Sequence, residues 1–235
     1  MPIRDLTGAI YDMIPVRNVL VSVYEKHGIE NFISGLVDIN PDARIISTDE
    51  TYEHAINILG AGAKKNLVKV SEYTGVPEME GGLLKTLHPK IIAGIVGERR
   101  NPEHQEFLTK TVHDGVFFDM VVANPYPFEE IAMKPHVYFE MARSYIDFGG
   151  RTLIEAAAFN FLGCAVVFEP SDYQAVLDYI GPAGGYTTLS FRRDQAIKAF
   201  SFLEMRQDMI SRYIAGKSID EIKKSYRIIP RLEGN

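Results

Sequence analysis

The sequence predicts an α/β fold, a mostly parallel sheet with helices on both faces. Three observations lead there. Short β-branched runs alternate with stretches of helical spacing, the runs are apolar at nearly every position, and glycine-rich breaks divide them. A strand that is apolar throughout is buried on both faces, the condition of a parallel sheet covered by helices.

Val19-Leu20-Val21-Ser22-Val23 reads as the first strand and runs into Tyr24-Glu25-Lys26-His27-Gly28. Ile29, Phe32, Ile33, Leu36 and Val37 follow at the spacing of one helix face. Arg44-Ile45-Ile46-Ser47 is a second strand and Thr51 to Leu59 a second helix, stopped by Gly60-Ala61-Gly62. Leu67-Val68-Lys69-Val70, Met120-Val121-Val122-Ala123 and Ala165-Val166-Val167-Phe168 are later strands, with helices between and after them. Gly181-Pro182-Ala183-Gly184-Gly185 reads as a hinge before a last helix, from about Ser190 to Ala215. Ile197, Phe200, Phe202, Leu203, Ile210 and Ile214 give that helix a broad apolar face for the domain or a second subunit. A length of 235 residues suits one domain, 1–235, with this C-terminal helical extension.

Composition narrows the function. The single cysteine, Cys164, excludes an intramolecular disulfide and any multi-cysteine metal site. It precedes Ala165-Val166-Val167-Phe168 and reads as a core thiol. The six histidines are scattered singly, and Glu50 with His54 on one helix face has no evident third ligand, so no metal or other cofactor is expected. No apolar run reaches the ~18–20 residues of a membrane span, and no signal-peptide pattern opens the chain; a cytoplasmic protein is expected. Residues 1–185 hold 15 Lys/Arg against 25 Asp/Glu, and residues 186–235 hold 10 against 6. So acidic a body argues against nucleic acid as a partner. An anionic small molecule would need a local basic pocket.

In an open parallel sheet, ligands sit beyond the carboxyl ends of the strands, near helix N-termini. The loops so nominated are 24–28, 47–51, 71–89, 124–128 and 147–152. They carry Ser71-Glu72-Tyr73-Thr74-Gly75-Val76-Pro77-Glu78-Met79 with Lys85-Thr86-Leu87-His88-Pro89-Lys90, then Asn124-Pro125-Tyr126-Pro127-Phe128 and Ile146-Asp147-Phe148-Gly149-Gly150. Taken together these motifs resemble the IMP cyclohydrolase domain, the N-terminal half of the bifunctional purine-biosynthesis enzyme. The resemblance runs from about Val19 to Ile214 and includes Ala156-Ala157-Ala158, Glu169-Pro170-Ser171-Asp172-Tyr173 and Ala196-Ile197-Lys198-Ala199-Phe200. It implies a methylglyoxal-synthase-like, Rossmann-type fold and a stand-alone cyclohydrolase with the transformylase domain absent.

The implied reaction is hydrolase chemistry on a cyclic amidine, run toward closure. The carboxamide nitrogen of FAICAR attacks its neighbouring formamide, and water leaves to give IMP. The resemblance assigns Lys85 to the reacting formyl group, Tyr126 beside it as hydrogen-bond donor or proton carrier, and Asp147 to the carboxamide nitrogen. Substrate binding falls to Lys26, His27, Ser47, Thr48, Thr51, Thr86, Asn124, Phe148, Gly149 and Gly150. It also implies a homodimer and a separate formyltransferase to supply the substrate. Taken singly, Lys85 reads as a solvated lysine, Tyr126 as a core aromatic, Asp147 as a helix cap and His88 as a loop residue bonding backbone.

Four departures from the family pattern change the charge of the site. A glycine-rich phosphate loop is Ser47-Thr48-Asp49-Glu50-Thr51 here, a family arginine is Leu83, and a second catalytic lysine after the Ala156–Ala158 run is Phe159. Asp49 and Glu50 are tolerable beside a phosphate if they point outward, and loss of a lysine at Phe159 is expected to strip Asp147 of a cationic neighbour and raise its pKa. Two other functions stay open on the same fold. One is a non-catalytic purine-nucleotide or nucleoside-binding regulatory module. The other is methylglyoxal-synthase-like chemistry, which the acidic loop disfavours.

Overall fold

The computed structural model describes residues 9–80 and 84–229. Its strands are β1 (Met13–Pro15), β2 (Asn18–Val23), β3 (Arg44–Ser47), β4 (Leu67–Lys69), β5 (Met120–Asn124), β6 (Ala165–Val167) and β7 (Tyr186–Thr188). Its helices are α1 (Ile29–Ile39), α2 (Asp49–Leu59), α3 (Val70–Thr74), α4 (Pro89–Val96), α5 (Pro102–Glu106), α6 (Phe128–Ala132), α7 (Phe139–Ser144), α8 (Phe148–Phe159), α9 (Tyr173–Ile180), α10 (Leu189–Ala215) and α11 (Ile219–Lys223). Five strands form one sheet in the order β4-β3-β2-β5-β6, every pair parallel. The predicted α/β architecture is the observed one.

Side chains alternate across the sheet, so each strand feeds two cores. Leu20, Ile46, Val121 and Val166 face Ile91 and Ile95 of α4, Leu153 and Ala157 of α8 and Leu203 of α10. Val19, Val21, Ile45, Met120, Val122 and Val167 face Phe32 and Leu36 of α1, Ala55 of α2 and Val176 of α9. Both faces being dry explains the unbroken apolar runs. Cys164 is fully buried in the first of these cores, and burial pushes its thiol up to about 12, out of reach of nucleophilic use.

One expectation fails and another holds in part. The glycine-rich segment 181–185 is a bonded turn and not a hinge: Gly184 and Gly185 donate backbone hydrogen bonds to Gly181 and Ile180, and Val16 donates to Gly185. Beyond it lies β7, which pairs antiparallel with β1 in a small second sheet that periodicity over three-residue strands could not reveal. Arg192 of α10 locks this clasp. It is fully buried and donates to the carbonyls of Tyr11, Asp12, Phe161 and Thr187 at 2.8–3.1 Å. The apolar face of α10 is also divided. Leu203 and Ile210 are buried with Ala196 and Ala199, while Ile197 and Phe200 are about half exposed, at 52 % and 46 %. No described helix is long and apolar enough to cross a membrane.

Candidate active site

The carboxyl ends of β2, β3 and β5 open into a cleft of about 330 Å³. From β2 the chain steps outward to β3 and β4, then returns to place β5 on the other side. The cleft therefore lies at the point where strand order reverses, where two diverging loops leave room for a ligand. Its lining includes Tyr24 after β2, Thr48 and Glu50 at the start of α2, Lys85 and Thr86, Tyr126 after β5, and Asp147 to Gly150 at the start of α8.

Three local devices aim the side chains. Leu84 sits at φ 62°, a left-handed conformation that side chains rarely adopt, and Thr86 is buried at 2 %. Lys85 is thus held between a constrained residue and an anchored one. Tyr126 is flanked by Pro125 and Pro127, which restrict its backbone. Asp147 is the N-cap of α8: its Oδ1 accepts from the Gly150 N–H at 2.8 Å. The cap consumes one lone pair and fixes the carboxylate against the cleft, so Asp147 is a helix cap that also lines the cleft. Neither Phe148 nor Gly149, in the first turn of α8, has an intrahelical acceptor for its N–H.

Tyr126 is surrounded by negative charge. Burial raises its hydroxyl pKa first, and the carboxylates of Asp147, Glu50 and Glu78 raise it further. At neutral pH it is a protonated donor, not a tyrosinate base. Its ring meets Tyr24 at 5.0 Å and Tyr145 at 6.0 Å between centroids, edge to face, and Tyr24 and Tyr145 are 6.3 Å apart. This aromatic corner was not singled out from sequence. The loops carrying Tyr24 and Tyr126 were nominated, but residues 24 and 145 meet only through folding.

Of the residues expected to bind substrate, Thr48, Thr86, Asn124, Phe148, Gly149 and Gly150 line the cleft with Lys85, Tyr126 and Asp147. Four do not. Ser47 and Thr51 are fully buried behind the loop, and Thr51 donates to the Val23 carbonyl at 3.4 Å while accepting from Thr48 at 3.1 Å. His27 is exposed, and Lys26 pairs with Glu50 at 3.7 Å. Asn124 lines the cleft but has nothing to offer a ligand. Its Oδ1 accepts from Tyr24 and Glu25 at 2.7 and 2.8 Å, and its Nδ2 donates to Glu25 and Tyr173 at 3.0 and 3.4 Å. An amide has four such positions and all are filled.

The acidic pair separates. Asp49 turns from the cleft and accepts both its contacts, at 2.9 and 2.8 Å, from the Ser71 hydroxyl. Glu50 lines the cleft with a side chain that is 73 % exposed. Phe159 corrects the sequence expectation. It ends α8, twelve residues from Asp147, so about 18 Å of helix separates them. It is 63 % exposed beside Ala93, Val96 and Phe107, in a different hollow. Within one chain, a side chain there does not neighbour Asp147. Leu83 lies outside the described residues. His88 caps α4, its Nδ1 accepting from the Lys90 N–H at 3.1 Å, which confirms its loop role. Among the described residues no three His, Cys, Asp or Glu side chains are grouped as a metal ion requires.

Comparison with known proteins extends the resemblance to nearly the whole chain. Over 219 residues, 93 % of its length, it is 40 % identical to the bifunctional purine biosynthesis protein PurH of Rhodospirillum rubrum. The PurH proteins of Chlorobium phaeovibrioides and of a Thermoanaerobacter species are 35 % and 38 % identical over 219 and 202 residues. The chain is related to the N-terminal half of these proteins and spans about 40 % of the length of the first two. No family model matches it. Among solved structures, ForH superposes with a TM-score of 0.66 at 24 % identity, over 84 % of this chain and 98 % of that one, which supports the fold.

Proposed function

We propose that the protein is an IMP cyclohydrolase acting as a single domain, closing the second ring of the purine by converting FAICAR to IMP and water. The observation that carries this reading is the convergence of Lys85, Tyr126 and Asp147, from three separate loops, on one cleft at the strand-order reversal. Relatedness to purine biosynthesis proteins supports the substrate class.

The chemistry needs little beyond placement. The carboxamide nitrogen and the formyl carbon are tethered on one ring, and holding them in a near-attack pose supplies much of the rate. As the N–C bond forms, negative charge gathers on the formyl oxygen. The Lys85 ammonium and the protonated Tyr126 hydroxyl are the donors for that oxygen. The Asp147 carboxylate accepts the proton that the carboxamide nitrogen sheds, its geometry held by the α8 cap. The oxygen takes its first proton from these donors, which regain the one held by Asp147. The former formamide nitrogen then gives up its N–H proton, the oxygen takes a second proton, and the C–O bond breaks to release water and leave the C=N bond. No cofactor is called for. Partners follow from the same reading: a homodimer, and a separate formyltransferase upstream.

The test is ring closure followed by ultraviolet absorbance, with Lys85→Ala as the paired control. Turnover that vanishes in the variant supports the assignment. Folded wild-type protein that does not exceed the spontaneous rate removes it and favours the binding-module reading, for which the carboxylate-rich cleft is the specific observation.

A further inference from the structure

We infer that Arg206, a buried arginine on the C-terminal helix α10, is a positioning residue that sets the distance between the Tyr126 and Asp147 loops. The inference rests on the proposed roles of those two residues.

Tyr126 and Asp147 belong to different connections, one leaving β5 and the other joining α7 to α8. The sheet itself does not fix the gap between two such loops; they share the small core of Phe128, Ala142 and Ile210, against which Tyr145 and Ile146 pack. One guanidinium spans them. Arg206 Nη2 donates to the Tyr126 carbonyl at 2.5 Å and makes a longer contact, 3.5 Å, with the carbonyl of Tyr145, two residues before Asp147. Nη1 donates to both Glu129 oxygens, each at 2.9 Å, so the fork is itself oriented by a carboxylate one turn past the Tyr126 loop. The arginine side chain is only 4 % exposed. A single group thus serves a carbonyl of each loop, and the Tyr126 carbonyl also accepts from the Phe128 N–H at 2.8 Å. The same loops meet again as the edge-to-face contact of the Tyr126 and Tyr145 rings.

A planar fork can do this and a lysine cannot. An ammonium on a flexible stem keeps the charge beside Glu129 but does not hold two carbonyls and two carboxylate oxygens in fixed directions. Arg206 touches no reacting atom; it acts through Tyr126 and Asp147. A helix that sequence reading assigns to docking thus carries a rod from the far side of the fold to the catalytic wall.

The variants are Arg206→Lys and, in case the first fails to fold, Glu129→Gln, which loosens the fork while keeping the arginine. Two readouts are taken on the full chain. The first is steady-state ring closure. A loop shift of the order of 1 Å costs about 100-fold in rate, so kcat is expected to fall roughly 10- to 100-fold with KM changed less than about threefold. The second needs no activity: tyrosinate absorbance against pH, with Tyr126→Phe subtracted to isolate Tyr126. The chain has no tryptophan to obscure it. Separation of the loops moves Asp147 away from Tyr126, so the Tyr126 titration shifts downward in the variants. A folded variant with wild-type kcat and an unmoved Tyr126 titration overturns the inference, as does a loss of kcat that disappears when thermal stability is restored by lower temperature. If wild type closes no ring yet the titration shifts as described, the proposed function fails while the positioning role stands.

Discussion

Gly150→Ala separates the structural duty of Asp147 from its chemical one. Gly150 is the third residue of α8, and its N–H is the cap bond to Asp147 Oδ1 at 2.8 Å. A Cβ there would lie 2.4 Å from Asp147 Oδ2 and 3.1 Å from its Cγ. The first distance is impossible for unbonded atoms, and the helical backbone cannot yield as easily as the free end of a carboxylate. The carboxylate therefore rotates away and the cap bond breaks, at a cost of about 0.5–2 kcal/mol. Alanine returns up to about 1 kcal/mol through its better helix propensity. The two nearly cancel, and a net change within about 1 kcal/mol moves the melting temperature by no more than about 2–4 °C in a chain of this size. Activity has no such compensation. Displacing a proton acceptor by about 1 Å costs about 100-fold. Thermal unfolding and ring closure on the same preparation check both halves. Wild-type turnover in Gly150→Ala would refute the reasoning, because Asp147 would then be a cap and nothing more.

Three further outcomes are expected. Asp147→Asn keeps an equally good cap and loses only about 0.3–1 kcal/mol of interaction with the helix dipole. Its turnover should nevertheless fall 100-fold or more, and Tyr126, freed of one carboxylate, should titrate at lower pH; a fall of less than tenfold counts against Asp147 as the proton acceptor. Glu50→Gln removes a charge from the cleft rim and releases Lys26. A charge pair at ~6 Å in water-like surroundings is worth ~0.7 kcal/mol, so IMP binding measured by calorimetry should tighten about threefold, with the gain shrinking as salt rises. In His88, burial and then the Lys90 charge lower the pKa below the ordinary 6.5, and the neutral ring accepts the α4 cap bond. The unfolded chain takes up that proton more readily than the folded one, so stability is complete above the ordinary histidine range and declines as pH falls through it. Asparagine caps without titrating, and the melting temperature of His88→Asn should depend less on pH between about 5 and 7; an unchanged slope would place the acid sensitivity elsewhere.

Much of the architecture was readable because strands of a covered parallel sheet carry their own signature. Val19 to Val21 and Met120 to Ala123 are apolar on both faces, and only a two-sided core asks for that. The three-residue pair β1–β7 has no periodicity to read, and Arg192 ties it by donating to carbonyls far apart in the chain, those of Asp12 and Thr187. The site divides along the same line. Lys85, Tyr126 and Asp147 stand in motifs distinctive enough to nominate them, and all three line the cleft. Asn124 stands in an equally distinctive motif but spends every hydrogen-bonding position on the backbone of Tyr24 and Glu25 and the hydroxyl of Tyr173, and the position of Phe159 in a motif says nothing about its being a helix length from Asp147.

The amino-acid order by itself determined the five strands of the main sheet, the helices packed on them and which loops could carry a ligand, because burial on two faces and helical spacing are local properties of the chain. The tertiary structure alone decided which polar atoms were left free for chemistry. Hydrogen bonds are short and directional, so Asp147 beside Tyr126, Glu50 on Lys26 and Arg206 under the Tyr126 and Asp147 loops exist only once residues as much as 80 positions apart have been brought into contact.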